Sequence, residues 1–286
     1  MKNIILSALV AAIVVFGISH YAPQQMAAEQ KQETVYERVQ RTGVLRCGYG
    51  LEPPMLSVDP NTGKVAGATV EIVEQIAALL NWKVVWTEQV AWSEMTAGLM
   101  ANRYDLVCNG KWVFAPQAKG GQFTIPIYFT AVHAYGRADE TRLDDKLTGL
   151  NSDSYTLTSM DGEMNYYIAR SRFPNAKRVE FPGLTEPGQL ILAITTKKAD
   201  VTFLPAFLAD DYMAKNPGQI RQLTTQPLSV FDTAFMYKTG EAAFGGVLDA
   251  ALRQLRGDGA IDATLDKYGV PASTTLRVAT PYRLPN

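Results

Sequence analysis

The sequence predicts an α/β fold built on open, mainly parallel sheets. Two observations carry this. Strand and helix signals alternate at βαβ lengths through residues 43–128, and a second series of the same kind begins near Tyr155. Gly43–Gly48 reads as a short buried strand, and Glu52-Pro53-Pro54 and Pro60–Gly63 as turns. Thr69–Leu80 places Val70, Val73, Ile76, Ala77 and Leu80 on one helix face. Lys83–Thr87 is a second strand, and Ser93 is placed to cap a helix carrying Met95 and Leu99. Tyr104–Cys108 is a third strand, expected to end at Asn109-Gly110 and to open into a loop reaching Gln117. Ligands of such sheets sit beyond the carboxyl ends of the strands, which gathers Tyr49, Trp92 and the 109–117 loop around one cleft.

Later in the chain, Ala131–Gly136 is extended, followed by a polar loop through Asp145. Strands are expected at Tyr155–Thr158, Arg178–Phe181 and Val201–Leu204, with helices over 163–172 and 186–195 between them. Asp232–Lys238 is extended again. An amphipathic helix then presents Phe244, Val247, Leu248, Ala251, Leu252 and Leu255, ends at Gly257-Asp258-Gly259, and is followed by a short helix with Ile261, Leu265 and Tyr268.

The chain has 286 residues, enough for one large or two ordinary domains. Its formal charge of -1 excludes a nucleic-acid partner, which would require a basic surface. The apolar run Ile4–Ile18 is short for a bilayer span and fits a signal-peptide core better. Neither Gly17-Ile18-Ser19 nor Met26-Ala27-Ala28 is a clean cleavage site, so residues 1–22 are read as a signal peptide or an N-terminal membrane anchor, with 23–35 a polar leader. Either reading exports the domain to the periplasm.

The ordered set Gly43–Gly48 with Pro53-Pro54, Gly67–Ile72, Trp92, Arg103–Val107 and Phe123–Tyr128 resembles the polar amino-acid branch of the type II periplasmic solute-binding proteins. Lys198–Val201, Leu255–Gly259 and Asp266–Gly269 extend the resemblance over nearly all of the chain after about residue 36. It implies two lobes, each a mainly parallel sheet flanked by helices, joined by two crossing segments: 36–132 with 234–286, and 133–233. It also implies an ABC permease in the inner membrane as partner, a small-molecule solute and a monomer. In that fold the strands carrying Cys47 and Cys108 are neighbours. An oxidising compartment permits a bond between them, but side chains on adjacent parallel strands seldom reach disulfide geometry, so two free buried thiols are favoured.

Amino-acid-binding members hold the ligand with an arginine beyond the third strand, a Gly-Thr-Thr-type helix start and an aspartate in lobe two. Here those positions fall on Gln117, on Ser159-Met160-Asp161-Gly162 and on Pro205. Gln117 brings no charge, Asp161 repels a carboxylate, and Pro205 cannot pair with an ammonium. The resemblance with these departures implies a small organic solute other than an ordinary free α-amino acid. Tyr49, Trp92, Trp112 and nearby Tyr128 supply aromatic walls, Asn109 and Gln117 neutral donors, and Gly110 a place on the same loop. Glu52 and Asp161 could counter a positive group; Lys111 and Lys119 could serve a negative one. The plain alternatives are that Trp92 packs under the third strand and that Asp161 caps its helix.

Enzymatic activity is not expected. His133 is the one histidine outside the leader region, and no nucleophile elbow, P-loop or metal-ligand spacing exists, so no cofactor or metal is expected either. Two other readings stay open: a membrane-tethered accessory or sensory domain acting on a protein partner, and, less favoured, a dehydratase-like enzyme on the same fold.

Overall fold

The computed structural model describes residues 33–183 and 185–279; the segment read as signal peptide or anchor lies outside the described residues. The described chain opens with α1 (Val35–Thr42), whose Thr34 and Glu37 form a reciprocal capping box. Gly43, at φ 65°, closes that helix. Then follow β1 (Val44–Tyr49), the small hairpin β2 (Ser57–Val58) and β3 (Val65–Ala66), α2 (Ala68–Leu79) and β4 (Lys83–Gln89). A 3-10 turn at Trp92–Glu94 leads into α3 (Met95–Met100), then β5 (Leu106–Trp112), the one-turn α4 (Ala115–Ala118), β6 (Gln122–Phe123) and the long β7 (Tyr128–Arg137). The next units are β8 (Thr156–Met160), α5 (Met164–Arg172), β9 (Lys177–Phe181), α6 (Gly188–Thr195), β10 (Val201–Pro205), α7 (Ala206–Lys215) and β11 (Ile220–Gln222). A second long strand, β12 (Ser229–Tyr237), returns the chain to α8 (Ala242–Gly257), α9 (Ala260–Lys267) and β13 (Thr275–Leu276).

Hydrogen bonding runs in the order β4-β1-β5-β12-β7-β10-β8-β9. The three strands at one end are mutually parallel, as are the three at the other. Between them, β12 and β7 pair antiparallel from Ser229↔Val132 to Thr233↔Tyr128. These two strands are the crossings between the lobes, and the core changes along them. Tyr128 and Phe235 pack with α2, α8 and α9, whereas Val132 and Phe231 pack with β8, α5 and Phe203. Each lobe buries apolar side chains on both sheet faces: Met95, Leu99, Tyr104 and Val107 cover the second face of lobe one, and Leu190, Ile191, Ile194 and Leu204 that of lobe two.

Three expectations are corrected. Cys47 and Cys108 are joined by a disulfide, with Cα atoms 5.5 Å apart. The register explains it. Cys47 is paired with Leu106, two residues before Cys108, so the two cysteines share a sheet face as diagonal neighbours and are not set directly side by side. Ser93 caps nothing: it lies inside the 3-10 turn, exposed, and no side chain caps that turn or α3. Asn109–Trp112 continues β5 rather than opening a loop, because Lys111 and Trp112 find antiparallel partners in Ala234 and Thr233 of β12. That pairing partner lies more than a hundred residues downstream.

Candidate functional site

Two adjoining cavities lie between the lobes, sharing Trp92, Trp112, Glu186, Pro187 and Leu208. The lobe-one side, about 260 Å³, is lined by Glu52, Gly110 and Lys111 among others. The lobe-two side, about 120 Å³, is lined by Met160, Glu163, Asn165 and Pro205, with apolar residues around them.

Glu52 is held by its backbone, which exchanges both hydrogen bonds with Leu56 at 2.8 and 2.9 Å. Its Oε2 is sealed from solvent with no hydrogen-bond partner. Burial pushes its carboxyl up to about 7, with the Asn109 amide and the Lys111 ammonium pulling the other way. Lys111 is fixed in β5 and only 5% exposed. Its Nζ sits 5.2 Å from the centre of the Trp92 ring, and among the described residues nothing hydrogen-bonds or ion-pairs with it. Burial lowers its affinity for a proton, against the attraction of Glu163 and Glu52. Glu163 stands just before α5, caps nothing with its side chain, and is raised above the usual carboxylate range by burial, with Lys111 opposing. One buried ammonium thus lies near two half-buried carboxylates, none within ion-pair distance of another. Unpaired buried charges are costly unless a partner arrives, so this is a site prepared for polar contacts it does not make itself.

The floor and walls follow from the same strands. A side chain at Gly110 would bring its Cβ to 2.5 Å from Thr233 and 2.8 Å from the Tyr128 hydroxyl, so only glycine lets β5 pass there. Tyr128 is buried, and burial together with Glu52 keeps its phenol well above its ordinary range. Asn165 accepts from the Met160 N–H at 2.8 Å and so fixes the join of β8 to α5. Across the cleft, Phe114 of lobe one meets Tyr167 of lobe two, ring centres 4.8 Å apart.

Of the residues singled out in the sequence, the structure gathers Glu52, Trp92, Gly110, Lys111, Trp112, Met160 and Pro205 at the cavities. The others do not line either one. Tyr49 turns away and packs edge-on against Trp86, centres 5.7 Å apart. Asn109 spends its amide on Gly50, accepting from its N–H at 2.8 Å and donating to its carbonyl at 3.0 Å, which ties β5 to the end of β1. Gln117, on α4, buries its Oε1 without a partner. Ser159 is fully buried, on the face of β8 opposite Met160, and both faces are covered. Asp161 lies exposed in the turn after β8, neither in the cleft nor capping α5. Lys119 is also exposed and lines neither cavity. The sequence reading missed Glu163, Glu186, Asn165 and Leu208. Glu163 was legible as the acidic residue opening a helix after a strand, two residues beyond the Asp161 that was chosen.

Comparison with known proteins bears on this site. Residues 45–271 match the sequence profile of bacterial extracellular solute-binding proteins, family 3. A probable amino-acid ABC transporter-binding protein of Haemophilus influenzae is 25% identical over 228 residues, spanning 79% of this chain and 85% of that protein. The L-cystine-binding protein TcyA of Bacillus subtilis is 22% identical over 270 residues, 91% of this chain and 96% of the relative. Among solved structures, the ancestral amino acid-binding protein AncCDT-1, a precursor of cyclohexadienyl dehydratase, superposes with a TM-score of 0.69. It is 19% identical, covering 82% of this chain and all but 1% of its own, a likeness of fold.

Proposed function

Since the chain belongs to family 3 of the bacterial extracellular solute-binding proteins, we propose that it is a periplasmic receptor that closes two lobes on a small organic solute for import by an ABC permease. The lobes are 36–132 with 234–286, and 133–233, hinged where β7 and β12 cross. Closure buries the solute between them, so affinity reflects both contacts and the population of the closable state. The protein acts as a binder and not as an enzyme. The buried disulfide supports an oxidising compartment.

The observation that carries the ligand reading is the charge set of the cleft: Glu52, Glu163 and Glu186 against Lys111. Among the described residues no arginine lines either cavity, and the one lysine there, Lys111, already lies near two carboxylates. A free α-carboxylate entering there would gain Lys111 but meet Glu52 and Glu163. A cationic head gains both acids and the faces of Trp92 and Trp112, against repulsion from Lys111 alone. The solute is therefore an organic amine or related cation rather than an ordinary free α-amino acid.

Melting-temperature shifts test this, because a ligand specific for the folded state stabilises it as its concentration passes Kd. Organic amines are expected to raise Tm by several degrees, and glutamine, glutamate, arginine and histidine to leave it unchanged. A clear shift with any of those four would overturn the ligand assignment.

A further inference from the structure

We propose that the lobe-two cavity is an apolar subsite that takes a hydrocarbon group of the solute, no larger than a phenyl ring, while the cationic head lies between Glu52 and Glu163. The proposal rests on the cleft being the binding site and extends that reading to the body of the ligand. Met160, Met164, Leu190, Phe203, Leu208 and Trp112 make its walls. Leu190 and Phe203 are fully buried members of the lobe-two core, and Phe203 stacks on Phe173 with centres 5.5 Å apart, so the back of the cavity is rigid. Asn165 spends its carbonyl on the Met160 backbone. The acids Glu163 and Glu186 therefore supply the charge at this cavity.

Size sets the upper bound. An apolar cavity of about 150 Å³ accepts benzene, and this one holds about 120 Å³. A branched alkyl chain or a phenyl ring is accommodated with slight movement of the two methionines, which are the adaptable part of the wall; an indole is not. The adjoining lobe-one cavity carries Glu52 and Lys111, so a ligand spanning both has one charged and one hydrocarbon end.

Calorimetric titration separates the subsite from the head. The probes are propylamine, butylamine, isoamylamine, phenethylamine and tryptamine, with the corresponding carboxylates in parallel. Affinity for the amines is expected to rise about fourfold per added buried carbon and to drop at tryptamine. Leu208→Trp, at a half-buried position outside the core, should abolish the rise. Leu208→Ala should move the optimum toward tryptamine. A rise confined to the carboxylates would uphold the subsite and overturn the cationic head. A flat response in both series, or no binding in either, would overturn the subsite itself.

Discussion

The two lobes reach the cleft with different chemistry and are held together in different ways. Lobe one presents Glu52 and Lys111, and the strands beneath them are covalently and ionically tied. The Cys47–Cys108 bond joins β1 to β5, and Asn109 clamps Gly50. Asp105 receives Arg38, Arg46 at 2.8 Å and the Arg46 backbone N–H at 2.8 Å. Lobe two presents hydrocarbon walls with Glu163 and Glu186 among them and is held by packing on both sheet faces, with the Glu140–Arg142–Asp200 ion pairs beside them. The difference has a physical reason. Buried charges in low dielectric repel or pair strongly over short distances, so a small displacement changes their energy sharply. An apolar pocket tolerates the same displacement at little cost.

The largest test of this contrast is removal of the disulfide. Replacing both Cys47 and Cys108 by alanine should cost about 4 kcal/mol, since the bond closes a long loop in the unfolded chain. Urea unfolding measures it; a loss under about 1 kcal/mol would show that lobe one is held without the bond.

The next effect is electrostatic. The folded state holds a proton on Glu52 more tightly than the unfolded chain, from an ordinary 4.5 up to about 7. The resulting stability is full below pH 4.5 and is lost as pH rises through about 7, at most about 3 kcal/mol. Glu163 acts in the same direction and Lys111 in the opposite one at higher pH, so the wild type is compared with Glu52→Gln, which should lack this part of the slope. Equal pH profiles for the two proteins would show that the Glu52 carboxyl is not the cause.

The smallest effect concerns the contact between the halves. Phe114→Ala removes the ring pair with Tyr167, worth about 1 kcal/mol, and should raise the open-to-closed ratio about fivefold. Small-angle scattering of the unliganded protein would show a larger radius of gyration. An unchanged radius would mean that closure is set elsewhere in the cleft.

Much of the scaffold was legible because its signals are local. The apolar faces of α2 and α8 fall at helical spacing, and Val70, Val73, Ile76, Phe244, Leu248 and Leu252 are all buried. The Thr34–Glu37 capping box is an equally local signal for α1. The site was only half legible. Trp92, Lys111, Trp112 and Pro205 reach the cavities, but resemblance to the family pattern points to Gln117 and Asp161, where the fold puts Glu163 and Leu208.

By itself the sequence determined where most strands, helices and turns lie and which faces are apolar, because those depend on neighbours within a few residues. The tertiary structure alone decided that Cys47 bonds Cys108, that β5 runs on to Trp112, and which of several acids meet Lys111. Each of those depends on register between strands far apart in sequence, where a shift of one residue exchanges the face a side chain occupies.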